Sequence, residues 1–189
     1  MPGTDYSEVL DFWFGSPRGK QRSEWFRKDE RFDAEIRRRF GELHGAAAQG
    51  ALEDWRKDRE SMLALIVVLD QFSRNLYRDD PRAFAQDAQA RDCTREALAR
   101  GDDTDALPVE RQFLYLPLEH SEDREDQALA CRLFAQLEEQ SGTRGLVDYA
   151  TRHKAIIDRF GRFPHRNAIL GRASTPEETE FLKTPGSGF

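Results

Sequence analysis

Cysteine is scarce. Cys93 and Cys131 are the only two, far apart and in no CxxC pair, so neither a disulfide framework nor a zinc knuckle is indicated. The four histidines form no HExxH, and His120, His153 and His165 lack ligand spacing, so no metal or other cofactor is expected. There is no GxSxG and no glycine-rich phosphate cradle, the local signatures of a serine nucleophile and of nucleotide binding. No apolar run approaches the roughly 20 residues of a membrane span, and the opening MPGTDYSEVLDFWFG has acidic groups but no basic n-region. A cytoplasmic protein with no membrane partner is the expectation. The formal net charge of -6 argues against a general nucleic-acid binder, which must neutralise phosphates with a basic surface. Low-complexity segments are absent, as is sustained apolar alternation joined by Asn-Gly or Asp-Gly turns.

What is present is bulky and charged. Of 189 residues, 34% are charged and 38% hydrophobic, but 13 Phe and 3 Trp supply core material that disordered chains lack. The length fits one domain, read as helical over residues 1–183, with TPGSGF at 184–189 as a flexible tail. The aromatic pairs Trp13-Phe14 and Trp25-Phe26 read as core rather than as a base-stacking platform.

Caps and periodicity give an all-α architecture of about eight or nine helices. The first runs Tyr6 to Phe14 and stops at Gly15. The second covers about Asp29 to Gln49 on a stripe of Phe32, Ile36, Phe40 and Leu43, leaving His44 as an exposed position. Ser61 caps a third through Phe72 whose run LALIVVLDQF is apolar on every side, the mark of a central helix, with a buried strand as the alternative. Asp80-Pro81 opens a fourth to Arg100. Pro108 starts a fifth that Pro117 is expected to interrupt or kink. Asp123 or Ser121 caps a sixth to about Gln140, a seventh spans Leu146 to Phe160 before Gly161, and Thr175-Pro176 with Glu178 forms a capping box for a last short helix.

Three polar motifs interrupt this apolar pattern: LDQFSRN at 69–75, LPLEHSE at 116–122 and FGRFPHRN at 160–167. Asp70 follows directly on the apolar run, where an unpaired carboxylate is costly, so it needs a partner such as Arg74, Arg159 or Arg166. Asn75 falls in the exit loop. Glu119 and His120 lie just past Pro117, and His120 has the neutral-range pKa of a general acid or base. Pro164 stiffens the loop from which Arg162, His165 and Arg166 can converge on an anion, helped by the N-terminus of a helix starting near Asn167. The competing reading pairs these cations with Asp70, Glu119 and Glu122 as a structural network.

The motifs VLDFWFG (9–15), WFRKDERFD (25–33), LDQFSRNLYR (69–78), ERQFLYLPLEHSED (110–123) and RFGRFPHRNAILGR (159–172) resemble, in order, those of the bacterial domain of unknown function 924 family. The resemblance spans nearly the whole chain. It implies an all-helical array similar to tetratricopeptide-repeat proteins and no assigned activity. The sequence itself shows no 34-residue self-similarity and no W-x-x-L-G-x-x-Y pattern.

These residues point to a helical protein with a polar site lined by Asp70, Arg74, Asn75, Glu119, His120, Arg162, His165, Arg166 and Asn167, binding a small anionic or polar ligand. Two alternatives stay open. One is an enzyme using His120 or His165 as acid–base group, and the other a protein-interaction scaffold of tetratricopeptide-like type.

Overall fold

Thirteen consecutive buried residues, Ser61 to Ser73, fix the architecture, because a helix with no solvent-facing side must be surrounded by other helices. The structure, a computed structural model, describes residues 5–188. Among the described residues there are eight helices when the three segments across 59–76 are counted as one, and no strand.

Helix α1 is Tyr6–Phe14 and α2 is Glu30–Ala48, the latter capped by Asp29. Helix α3 runs Arg59–Ile66, continues as a π segment over Val67–Phe72, and closes as α over Ser73–Leu76. Helix α4 is Asp87–Arg100, α5 Pro108–Glu119, α6 Arg124–Ser141, α7 Leu146–Phe160 and α8 Pro176–Phe181. Short 3-10 turns precede α4 at Pro81–Phe84 and follow α7 at Pro164–Arg166. Helices α1, α2, α4 and α5 all pack on α3, while α5, α6 and α7 follow one another as hairpins. The main core centres on α3, and a small separate cluster of Ile156, Ile157 and Phe163 lies at the end of α7.

Several expectations need correcting. Helix α3 does not end at Phe72, so Arg74 and Asn75 are helical rather than in an exit loop. Ser61 caps nothing; its Oγ donates to the carbonyls of Trp55 and Asp58. The fourth helix divides, a 3-10 turn on Pro81 preceding α4. Pro117 does not break α5, which continues to Glu119 because the tertiary packing of Phe113, Tyr115 and Leu118 outweighs one lost hydrogen bond near the helix end. No helix begins at Asn167, where the chain runs through turns. Phe26 is 60% exposed, although Trp13, Phe14 and Trp25 are buried as expected.

His44 is buried, not exposed. Its Nε2 lies 2.8 Å from Ser73 Oγ, whose hydroxyl donates to the Leu69 carbonyl at 2.6 Å. The hydroxyl hydrogen is thus committed, and His44 Nε2–H is the donor in the pair. Burial lowers the His44 pKa and keeps the ring neutral. Ser73→Ala leaves that N–H buried without an acceptor and is expected to cost about 1–3 kcal/mol in denaturant unfolding. In a His44→Phe background the same change should cost much less, and equal costs in both backgrounds would refute the coupling.

Candidate functional site

A π turn winds one extra residue into a helix and loosens its backbone ladder, a device frequent at functional sites. Here it spans Val67–Phe72 and carries Asp70. In the following turn, Ser73 Oγ and Arg74 Nη1 reach back to the carbonyls of Leu69 and Asp70, at 2.6 and 2.7 Å. The Arg74 guanidinium is thereby drawn over Asp70.

Asp70 is 1% exposed, and both of its oxygens are engaged. Oδ1 accepts from His120 Nδ1 at 2.8 Å and lies 3.1 Å from Arg74 Nη1, while Oδ2 accepts from Gln71 Nε2 at 2.6 Å. Burial alone would raise the carboxyl, but Arg74 and His120 outweigh it and hold Asp70 below the ordinary carboxylate range. Because the ionised carboxylate only accepts, the His120 proton sits on Nδ1. Burial also lowers the His120 pKa against the opposing pull of Asp70, so the ring is neutral. Its Nε2 has no partner among the described residues and is open to water, the side chain keeping 14% of its surface.

Arg74 also faces Asp87 on α4, with Nη2 3.1 Å from Oδ1, and Arg166 Nη1 donates to Asp87 Oδ2 at 3.2 Å. The Arg166 guanidinium lies between two rings, 4.7 Å from the centroid of Phe84 and 4.5 Å from that of Phe163. Its Nε is buried without a partner. Burial and the nearby Arg74 charge lower this guanidinium to about 10, still protonated at neutral pH. Pro164 fixes the turn that presents it.

Glu119 is the neighbour of His120 at the end of α5 and is 4% exposed. Burial and the Asp70 charge push its carboxyl up to about 8, so it is mostly protonated at neutral pH. Its Oε1 lies 3.5 Å from His153 Nδ1, which donates at 2.8 Å to the Tyr149 carbonyl. Neither Glu119 oxygen has a hydrogen-bond partner among the described residues, and neither is sealed from water. The His153 ring is 6.4 Å from that of His120 and edge-on to Phe163 at 5.6 Å. Burial depresses His153 to about 3. His165, tilted against Phe163, falls to about 4 through burial and the Arg166 charge.

The expected residues therefore divide. Asp70, Arg74, Glu119, His120 and Arg166 meet at one centre, with His165 beside it across Phe163. Arg162 does not converge there; it forks onto Glu178 at 2.6 and 2.8 Å. Asn167 donates to Ser174 and Glu178 and accepts from Arg172, so both brace the loop leading to α8. Asn75 faces away, donating at 2.8 Å to Asp33, which also pairs with Arg78 on the wall of an open depression of about 300 Å³. Arg159 pairs with Glu177 rather than with Asp70. Sequence reasoning missed Asp87, Phe84 and the placement of His153. His153 shares a helical stripe with Ala150 and Ile157, a signal of burial that the sequence does carry. Among the described residues no three His, Cys, Asp or Glu side chains group as a metal cage.

Fold and site together define a helical protein with a buried carboxylate–histidine–arginine centre. The chain belongs to the family described as bacterial protein of unknown function, DUF924, whose profile matches residues 9–186. It is similar to a protein of unknown function from Agrobacterium tumefaciens, whose solved structure superposes with a TM-score of 0.84 at 40% identity. That match covers 94% of this chain and 96% of the other. No curated protein matches the chain.

Removing Asp70 strands Arg74 and His120. Asp70→Ala is expected to cost on the order of 3–5 kcal/mol in chemical denaturation. A loss under 1 kcal/mol would show that the ion pair does not organise the centre.

For Glu119 the folded pKa of about 8 exceeds the ordinary 4.5. Its contribution to stability is therefore fully present below pH 4.5 and is lost as pH rises to about 8. Glu119→Gln, which mimics the neutral carboxyl, should remove a decline on the order of a few kcal/mol across that window. His153 and His165 have the opposite sign: their contribution, present above the ordinary 6.5, is lost as pH falls. Melting temperatures of wild type and Glu119→Gln from pH 4.5 to 9 check this, and parallel curves would contradict it.

Proposed function

We propose that this chain binds a small anionic or polar molecule at the Arg74, His120 and Arg166 centre, and that His120 acts there as an acid–base group. One observation carries the reading: His120 is neutral, gives its Nδ1–H to Asp70, and keeps Nε2 open to water without a partner among the described residues. A carboxylate that fixes the tautomer while leaving the other nitrogen free is the arrangement of a general base. Two guanidiniums anchored on Asp87 beside it supply donors suited to a carboxylate or phosphate. Ser121 follows His120 in the chain but donates to Asp126, so His120 is set to act on water or on the substrate itself rather than on a serine.

The interaction-scaffold reading has less to rest on. The large apolar side chains exposed among the described residues, Phe26, Leu107, Tyr149 and Leu182, are scattered over separate elements. A cytoplasmic location remains part of the proposal, in keeping with the free thiols of Cys93 and Cys131.

Thermal-shift titration with orthophosphate and pyruvate tests the binding. At 100 times Kd an occupant stabilises by about 2.7 kcal/mol, and Arg166→Ala should abolish the shift. Diethyl pyrocarbonate, which acylates open neutral imidazoles, should modify His120 first, and bound anion should protect it. The reading fails if phosphate, nucleotides and carboxylates all leave the melting temperature unmoved or shift Arg166→Ala equally.

A further inference from the structure

The centre holds a group that anion binding does not use. Glu119 is almost wholly buried, has no hydrogen-bond partner among the described residues, and yet keeps both oxygens in reach of water. Asp70 on the π segment, His120 beside it, His153 on α7 and Cys131 on α6 surround it, and none of them supplies it with a full positive charge. Asp70 has instead taken the available donors, namely Arg74, His120 and Gln71. One site thus presents a basic imidazole nitrogen at His120 and a carboxylic acid at Glu119, linked by their shared proximity to Asp70 and His153.

Resting on the ligand-site reading above, we propose that Glu119 is the proton donor that works with His120 on one anionic substrate, in a reaction that removes a proton from one substrate atom and delivers one to another. Enolisation of a small carbonyl compound bearing a carboxylate or phosphate is the simplest case. His120 Nε2 takes the proton of a C–H beside the carbonyl. That bond's electron pair becomes the new C=C, the carbonyl π pair moves to oxygen, and Glu119 gives its proton to that oxygen. The products are an enol, an imidazolium and a carboxylate. The two side chains return to their starting forms when the imidazolium releases a proton to water and the carboxylate recovers one. Opposed environments that leave one group basic and a nearby group acidic at the same pH are how sites divide these roles.

The test is proton–deuterium exchange, followed by NMR in D2O, at the methyl group of pyruvate and the carbon-bound hydrogens of dihydroxyacetone phosphate. Wild type should exchange at least one of them well above the buffer rate, and His120→Ala should lose that exchange. Glu119→Gln should lose ten-fold or more while retaining the thermal shift caused by the same anion, with partial recovery in Glu119→Asp. The wild-type rate should fall in acid as His120 protonates and in alkali near pH 8 as Glu119 ionises, and Glu119→Gln should lack the alkaline limb. Glu119→Gln exchanging like wild type, while His120→Ala does not, overturns the role of Glu119 and leaves the ligand site standing. No exchange by wild type despite a thermal shift overturns the proton-transfer chemistry, and absence of both overturns the site.

Discussion

A carboxylate in the middle of a helix that is buried all round is the constraint from which the rest of this structure follows. Asp70 sits on α3, which α1, α2, α4 and α5 enclose, and an uncompensated charge there would cost several kcal/mol. It is met by Arg74 from the next turn, by Gln71 from its own, and by His120 from the end of α5. Arg74 in turn brings in Asp87 from α4, which receives Arg166 from the turn after α7. A single chain of ion pairs and one hydrogen bond from the neutral His120 thus ties α3, α4, α5 and the 164–166 turn together where the main core meets the smaller cluster around Phe163. Aromatic faces on either side of Arg166 complete the tie, since a guanidinium is weakly hydrated and stacks where an ammonium would not.

The same economy explains the split between the two buried carboxyls. Both feel the low dielectric, but all the strong donors converge on Asp70. Glu119 is left with a weak 3.5 Å approach to a neutral histidine and with the repulsion of Asp70 itself. Two carboxyls that interact cannot both ionise cheaply, and the one with the donors wins. The donor geometry, rather than depth alone, therefore decides which carboxyl is charged.

Much of this was legible in the residues. Caps and glycines fixed the helices because their signals are local: Asp123 accepts from two backbone N–H groups, and Gly161 takes the left-handed conformation with φ 70. The burial of α3 followed from composition. The π segment did not, because a helix of i→i+5 bonds carries no propensity of its own and arises here from packing and from side chains that cap its carbonyls. His44 lies one turn after Phe40 on the apolar stripe of α2, so the spacing carries a signal of burial, while its polar partner, Ser73, comes from a distant part of the chain and leaves no local sign. Arg162 and Asn167 are near Arg166 in sequence but reach Glu178 instead, because one residue either way in a turn sends a side chain to a different partner. Asp87 carries no local sign of its role, because nothing in AFAQDAQARD distinguishes it from the polar residues on either side.

Whether this centre is only a clamp is a question of energy. A structural ion pair is complete once its charges and hydrogen bonds are matched, and Asp70 with Arg74 and Arg162 with Glu178 each meet that description, while Asp87 with Arg166 pairs its charges but leaves Arg166 Nε buried without a partner. Glu119 and the Nε2 of His120 do not. A carboxyl taken almost wholly into the fold with water as its one available partner is held less well than a paired one, and an imidazole with one nitrogen left open to water gives up a bond that a neighbouring side chain could have made. Sequences that break local rules of this kind and offset the cost elsewhere do so mostly at functional sites. The stability forgone at these two groups, placed side by side at the end of one helix, is the strongest physical argument that the cluster serves a ligand as well as the fold.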